Sequence, residues 1–572
     1  SLESLLIEGL ESGSLRLSGA HSRAVSEKCR VPRFLSGLWL RVFCRKGFLR
    51  SDADPTAIFF LRSILVYGKR LMLQCSDTTL DKVVEEYYEI DGSLREPTLC
   101  WSDVEFDRSS SSRTVHFRDG LAPNSRNVGA DEASGILKLN IYRLQRICDS
   151  VSGYLGYYDP YALTQGAGNR DTRGHFLRHG RGAVSDQRRR ANRFHFSRWS
   201  DRLDMLFDYT SYSSHDFSTD FVHDTSGEST SKLIAVPKTL TKPRLIASEP
   251  GSNQWCQQLT LSWLVERINN TKLGRFIDLS DQGKSQSLVI KSSMTKSLCT
   301  VDLSSASDRL SLWAIERAFR VNPTLLAALH AHRTPIIRDG VTKRGDLLMK
   351  KFASQGTAVT FPIQTIFFLC CVFAVCGVEQ LSKSNRMVGK VRVFGDDIIM
   401  PSSRYAELCE LLDFLQLKVN KAKSFVSGHF RESCGMDAYK GYDVTPLKPT
   451  RIELRGTESV QSLIDNASNA HRKGLWRLSR EIERTIRKWK RKPKLPIVGP
   501  DSGQPGMFSF CGSEFGHLQS RWSKTLHRTE YKVTSILSSV EVVPVTDASG
   551  FLQFIAENPD PLTKWVSGVR QE

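Results

Sequence analysis

The sequence predicts an α+β protein in which antiparallel hairpins are set among helices. Three observations carry this expectation. Residues 391–400 (Val-Arg-Val-Phe-Gly-Asp-Asp-Ile-Ile-Met) place two β-rich runs around Gly-Asp-Asp, and residues 232–251 place two more around a cationic loop. Apolar residues recur at helical spacing in 57–67, 136–157, 404–417 and 478–489. Residues 357–378 carry no formal charge, but Pro362 and Gln364 leave an apolar run of only about 13 residues, the length of a core helix rather than a membrane span.

The totals narrow the class. A chain of 572 residues has room for two to four domain-sized units. Its net charge of +19 favours a polyanionic partner, nucleic acid before an acidic membrane surface. The 13 cysteines are scattered without a Cys-x-x-Cys pair, so neither a disulfide framework nor a zinc site is expected, and a reducing compartment is. Acidic residues interrupt the apolar pattern of 1–19, which argues against a secretory signal, and the chain does not open on Met, as a trimmed reading frame would not.

In chain order, residues 1–165 offer helices and a polar loop at 109–112 but no catalytic constellation. Between 168 and 200, nine arginines, among them Arg188, Arg189, Arg190 and Arg193, are interleaved with Phe176, Phe194, Phe196 and Trp199. Guanidinium forks with aromatic faces suit a single strand of nucleic acid; a solvated charge run is the plainer alternative. His175 and His179 have i,i+4 spacing but no third ligand nearby to complete a zinc set.

The hairpin of 232–251 carries Lys238, Lys242 and Arg244 in its loop, cations converging as a triphosphate requires, with Glu249 placed to brace one of them. Residues 298–312 supply carboxylates: Asp302 ends a short apolar strand, and Asp308 follows six positions later, where a helix N-cap is a rival role. Ser354, Gly356, Thr360 and Gln364 lie where a small-residue loop enters the uncharged helix, with Pro362 tolerable in its first turn. Thr360 and Gln364 share a face there; a ribose hydroxyl is one candidate partner and a satisfied backbone contact another.

Gly395 as first central residue suits a type II′ turn, which pushes Asp396 and Asp397 to the tip of an apolar hairpin. Adjacent carboxylates repel, and a hard divalent cation relieves them; a plain surface turn is the bland reading. With Asp302 added, the site becomes a three-carboxylate nest for two ions, which Lys423 can approach. Residues 430–435 and 441–446 read as a further strand pair. Between 471 and 494, eleven Lys or Arg, including Arg487, Lys488, Lys490 and Arg491, stand against two Glu on a helix with an apolar stripe. Such a helix can lie on a membrane, but packing on the body with its basic face toward phosphates is the stronger reading. Beyond 500 the chain is rich in Gly, Ser and Pro, then strand-like at 533–545.

The order of these pieces resembles the successive motifs of viral RNA-dependent RNA polymerases, and more closely the replicase catalytic subunit of the leviviruses, the single-stranded RNA phages related to Qβ and MS2. Val236-Pro-Lys, Ile246-Ala-Ser-Glu-Pro-Gly, Asp278-Leu-Ser-Asp-Gln, Thr300-Val-Asp-Leu-Ser-Ser-Ala-Ser-Asp and Phe430-Arg-Glu-Ser-Cys-Gly carry the resemblance. It is good over about 180–446 and faint before 165.

The resemblance implies a right-hand fold of fingers, palm and thumb, the palm an antiparallel sheet backed by helices. It divides the chain into an N-terminal region at 1–165, fingers at 166–297, palm at 298–446 with a fingers insertion at 320–350, and a thumb and C-terminal region at 447–572. It implies that Asp302, Asp396 and Asp397 hold two Mg²⁺ ions (or Mn²⁺), and that Lys423 protonates pyrophosphate. Lys238, Lys242 and Arg244 would grip the triphosphate, and Asp308 with Gln364 would recognise the ribose 2′-hydroxyl. RNA template and product, nucleoside triphosphates and, as in related coliphage enzymes, elongation factors Tu and Ts and ribosomal protein S1 are the implied partners, in the cytoplasm of a bacterial host and without a membrane. Phe394 departs from the usual Tyr before Gly-Asp-Asp, and Gln364 from the common Asn. A reverse transcriptase and a non-catalytic RNA-binding protein are the alternatives.

Overall fold

A computed structural model describes residues 1–572 except 18–22, 72–74, 99–103, 108–113, 118–134, 166–176, 181, 187–195, 197, 214–226, 240–241, 490–494, 500–505, 511–517 and 533–572. Four helices of the N-terminal region matter below: α1 (Leu2–Ser12), α2 (Pro55–Val66), α3 (Asp77–Gly92) and α4 (Gly135–Leu155). Then come β1 (Thr230–Val236), β2 (Arg244–Ser248), α5 (Gly251–Asn270) and α6 (Gly283–Thr295). The central part adds β3 (Leu298–Val301), α7 (Leu312–Ala318), α8 (Pro323–Ala331), β4 (Ile336–Asp339), β5 (Asp346–Leu348) and α9 (Thr360–Val375). It continues through β6 (Arg392–Phe394), β7 (Asp397–Pro401), α10 (Tyr405–Phe414), β8 (Phe430–Ser433), β9 (Met436–Tyr439) and β10 (Tyr442–Asp443). Helices α11 (Thr457–Arg472) and α12 (Trp476–Arg487) follow.

Mixed helix and sheet is therefore what the chain forms, and each expected helix appears within a few residues of its predicted ends. The uncharged run becomes α9, every residue of it buried except the partly exposed Phe361, with Pro362 in the first turn where no N–H is needed. Its packing on α4, α5 and α10 forms the largest apolar core. Among the described residues no helix is long and apolar enough to cross a membrane.

Three sheets frame the centre. The first has the order β6-β7-β3 and is antiparallel throughout. The second, β5-β4-β1-β2, contains the cationic hairpin, and β4 joins it parallel to β1. The third is the meander β8-β9-β10, the strand pair expected after the Gly-Asp-Asp hairpin with one more strand.

The N-terminal region is fastened to the meander. Apolar side chains of α1 and α2 share a cluster with Phe430 and Tyr439. Arg62 of α2 pairs with Asp437 of β9, both fully buried, and lies over the Phe430 ring at 4.9 Å. Glu11 of α1 accepts backbone N–H groups from Val426, Ser427 and Gly428.

Some expectations are corrected here. Phe196 and Trp199 are buried, Trp199 donating its indole N–H to the Phe207 carbonyl at 2.8 Å, so neither ring is free to stack on a base. His179 is likewise buried, between the rings of Trp255 and Phe196. His175, Phe176, Phe194, Arg188, Arg189, Arg190, Arg193, Lys490, Arg491 and the strand-like 533–545 lie outside the described residues. Buried Ile482 and Ile486 dock α12 on α11 as its stripe predicted, leaving Arg487 and Lys488 exposed.

Candidate active site

Sheet register assembles the site. In the β7–β3 ladder Ile398 stands opposite Val301, so one further step sets Asp397 against Asp302. On the other side of β3, Thr300 and Phe425 exchange both backbone hydrogen bonds, at 3.1 and 2.8 Å. Continuing that pairing brings Lys423 beside Asp302, with Nζ 3.6 Å from Oδ2. Asn420 donates to the same oxygen at 2.8 Å, and the Asp302 N–H donates to Ser424 Oγ at 3.2 Å.

The turn between β6 and β7 has two central residues, Gly395 and Asp396, and only the glycine has positive φ (63°), as a type II′ turn requires. Its amide donates to Thr365 Oγ1 of α9 at 3.0 Å, and a Cβ at this position would lie 2.5 Å from the Phe361 ring. Phe394 meets that ring edge to face at 4.9 Å, so the strand aromatic is used in packing the turn onto α9.

Electrostatically the cluster is under load. Burial pushes Asp302 up to about 6, Lys423 opposing and Asp396 and Glu432 adding to it. Burial, with Asp396 and Asp302, pushes Asp397 up to about 7. Burial alone would lower Lys423, but Asp302, Glu432, Asp396 and Asp397 outweigh it and raise it, so the ammonium stays charged at neutral pH. The donors are hard oxygens short of positive charge, as a divalent cation needs. They are neighbours rather than a closed cage: among the described residues no three His, Cys, Asp or Glu side chains form a ready ion site. Asp302 is turned to Asn420 and Lys423, and Asp397 accepts from the Ser433 hydroxyl at 3.3 Å.

The cationic hairpin divides its charges. Burial lowers Lys238, as do Arg244 and Lys423, against the pull of Asp396 and Asp302, so Lys238 lies by the acidic cluster with Arg244 as its own neighbour. Lys242 instead pairs with Glu86 of α3 at 2.6 Å. Glu249 braces no loop cation. It is buried and accepts from the hydroxyls of Thr334 and Thr357 and from the Gln257 amide, because a carboxylate at the end of β2 points into the core.

The loop before α9 is clamped to β2. Gln355 accepts the Ala247 N–H at 2.7 Å, and a Cβ on Gly356 (φ 120°) would lie 2.0 Å from the Ala247 carbonyl oxygen. Ser354 is buried with its hydroxyl 2.5 Å from that of Tyr87. Thr360 donates to the Ser354 carbonyl at 3.0 Å, the satisfied contact left open by the sequence. Gln364 lies buried against Gly395, and its Oε1 has no hydrogen-bond partner among the described residues. Asp308 is not an N-cap: Ser305 and Ser311 stand at those positions, and Asp308 pairs with Lys351 at 3.3 Å. Sequence reasoning assigned no role to Glu432, Ser433, Asn420 or Lys351; Glu432 and Ser433 lie in the Phe430-Arg-Glu-Ser-Cys-Gly motif and Asn420 shortly before Lys423, whereas no motif marked Lys351.

Fold and site together define a class: a mixed helix-and-sheet protein with a carboxylate-bearing turn on an antiparallel sheet, beside a basic hairpin. Comparison with known proteins adds what the chain is similar to. Residues 212–461 match the family "RNA replicase, beta-chain". The chain is 36% identical over 217 residues to the RNA-directed RNA polymerase subunit beta of Escherichia virus Qbeta, covering 38% of this chain and 34% of that one. It is 34% identical over 217 residues to the same subunit of Qbeta virus strain MX1, covering 38% and 35%. To the RNA-directed RNA polymerase beta chain of Escherichia phage MS2 it is 34% identical over 219 residues, covering 38% and 37%. The match thus spans little more than a third of each relative, and its relatives are those the motifs implied. Among solved structures, the BmCPV RNA-dependent RNA polymerase at elongation state aligns with a TM-score of 0.30 and 11% identity over 42% of this chain and 24% of that one, too weak a likeness to carry weight.

Proposed function

We propose that this protein is the catalytic subunit of an RNA-dependent RNA polymerase that copies a single-stranded RNA phage genome. The observation that carries the reading is the register setting Asp302 across from Asp397, with Asp396 at the adjoining turn and Lys423 alongside. In a right-hand arrangement the β6-β7-β3 sheet with its helices is the palm. The β1–β2 hairpin belongs to the fingers, and β4 and β5, which join its sheet, support the assignment of 320–350 as a fingers insertion. Residues 447–572 form the thumb and C-terminal region, and 1–165 brace the other parts.

Asp302, Asp396 and Asp397 would hold two Mg²⁺ ions, or Mn²⁺, after side-chain rotation away from Asn420 and Ser433. When bound, such ions make the RNA 3′-hydroxyl more acidic and stabilise charge on the transferring phosphoryl group. The chain's own groups do the rest. Lys238 and Arg244 grip the triphosphate, and Lys242 joins them only by leaving Glu86. Lys423, charged at neutral pH, gives its proton to departing pyrophosphate. Asp308 accepts from the ribose 2′-hydroxyl, and the Gln364 amide, whose Oε1 has no partner among the described residues, turns an N–H toward the oxygen of that hydroxyl. Ser354 and Gly356 act on the nucleotide indirectly, by fixing the loop that leads to Thr360.

RNA contacts fall to Arg487 and Lys488 at the end of α12, and to Arg188, Arg189, Arg190, Arg193, Lys490 and Arg491. Elongation factors Tu and Ts and ribosomal protein S1 are the proposed host partners, in the bacterial cytoplasm. The test is primer extension with Mg²⁺, with and without bacterial extract. Asp396→Asn should abolish synthesis and leave RNA binding intact. Binding without extension under every condition would instead support an RNA-binding protein, and a preference for deoxyribonucleotides a reverse transcriptase.

A further inference from the structure

Lys351 is fully buried, and a buried ammonium is tolerated only with a counter-charge and satisfied donors. Among the described residues its one hydrogen-bond acceptor is Asp308 Oδ1, at 3.3 Å. Its other partner is a ring: Nζ sits 3.3 Å from the centroid of Tyr87, which belongs to α3 in the N-terminal region. The ring and the backbone of the lysine are themselves anchored. The Tyr87 hydroxyl meets Ser354 Oγ at 2.5 Å, in the loop clamped to β2. The backbone N–H groups of Lys350 and Lys351 donate to the two oxygens of buried Asp91, four residues beyond Tyr87 on the same helix.

Because Asp308 is the carboxylate that Lys351 bonds, with buried Asp91 adding to the pull on the ammonium, the Oδ1 of Asp308 is committed. Oδ2 has no partner among the described residues, and the side chain keeps 20% of its surface exposed. A half-buried carboxylate on so short a helix would otherwise sample several rotamers. Here one oxygen is fixed from below and the other is left to accept a hydrogen bond.

We propose that Lys351, seated on Tyr87, is a positioning residue for sugar selection, holding Asp308 so that its free oxygen meets the 2′-hydroxyl of the incoming ribonucleotide. This rests on the polymerase reading given above and deepens it: α3, within a region where the sequence showed no constellation, becomes the floor of the ribose subsite.

The experiment is primer extension by the full chain in bacterial extract, measuring kcat and KM for a ribonucleotide and its 2′-deoxy analogue. In Lys351→Met, which keeps the aliphatic stem, discrimination between the two sugars should fall about tenfold, the scale of one orienting hydrogen bond. The loss should lie in KM for the ribonucleotide, with the deoxyribonucleotide unaffected. Tyr87→Phe, which keeps the ring under the ammonium, should retain discrimination. If Lys351→Met fails to fold, Lys351→Met with Asp308→Asn removes both charges and carries the test, since it should discriminate no worse than Asp308→Asn alone. Equal losses for both sugars, or additive losses in the double variant, would show a merely structural lysine and overturn the proposal. A parent chain that extends no primer overturns the polymerase reading itself, and this inference with it.

Discussion

Gly395→Ala tests whether the turn is set by α9 rather than by its own two residues. The backbone at Gly395 has φ 63°, where a side chain costs about 1–2 kcal/mol. The added methyl would also lie 2.5 and 3.2 Å from Phe361 ring carbons and 3.3 Å from Gln364 Nε2. Overpacking of that kind costs about 1–3 kcal/mol, toward the lower end here because Phe361 is partly exposed and can yield. The sum is about 3 kcal/mol of local stability, so amide exchange in β6 and β7 should speed up roughly a hundredfold. Displacement of Asp396 by even part of an ångström should cut nucleotide incorporation by a similar factor of about 100. Hydrogen exchange of the strand amides and primer extension read the two effects separately. Adding Phe361→Ala should recover the steric share and leave the φ share. Exchange within threefold of the parent, or no recovery on removing the ring, would refute the idea that α9 holds the turn.

The remaining expectations concern the supports of the site. Gly356→Ala should be the harsher glycine change, since its methyl would meet the Ala247 carbonyl oxygen, a backbone atom, at 2.0 Å; loss of protection at the Ala247 amide is the readout. Arg62→Met strands Asp437 without its partner in the core and should cost about 3–5 kcal/mol, whereas pairing it with Asp437→Asn should restore most of the melting temperature. Glu249 is raised by burial, its three hydrogen bonds only partly offsetting this. Its contribution to stability is therefore complete below the unfolded value of about 4.3 and is lost as pH rises through the folded value. Glu249→Gln, which does not titrate, should gain on the parent in thermal midpoint as pH rises from about 4 upward; a difference that stays constant with pH would contradict the assignment.

What could be read from the sequence was local. The type II′ turn follows from Gly395 between two β runs, and α9 from a charge-free stretch too short for a bilayer. Both depend on chain neighbours alone. The pairing of β3 with β7 does not: nothing near Asp302 encodes that its opposite number is Asp397, and only the motif order implied it. Lys242 shows the same limit for side chains. Its position in the loop matched that of Lys238 and Arg244, yet Glu86, on a helix more than a hundred residues earlier, takes it. Phe196 and Trp199 misled for a related reason, because aromatic residues among arginines look like a stacking strip until a core claims them.

The motif residues themselves fall into two kinds, and the distinction bears on how variants should be interpreted. Asp396 and its neighbours shift the protonation of Asp302, Asp397 and Lys423, so this group acts through charge at the site. Gly356 and Gly395 lack side chains and are required because another element comes too close for one, β2 in the first case and α9 in the second. Ser354 and Arg431 are buried, Arg431 donating to the carbonyls of Leu298, Val426, Gly428 and Phe430 and so tying β8 to the start of β3. Loss of activity on changing the second kind is therefore no evidence of contact with a nucleotide. A change in pH profile or sugar preference separates the two, since displaced geometry lowers every rate together while an altered charge changes which substrate or proton is favoured.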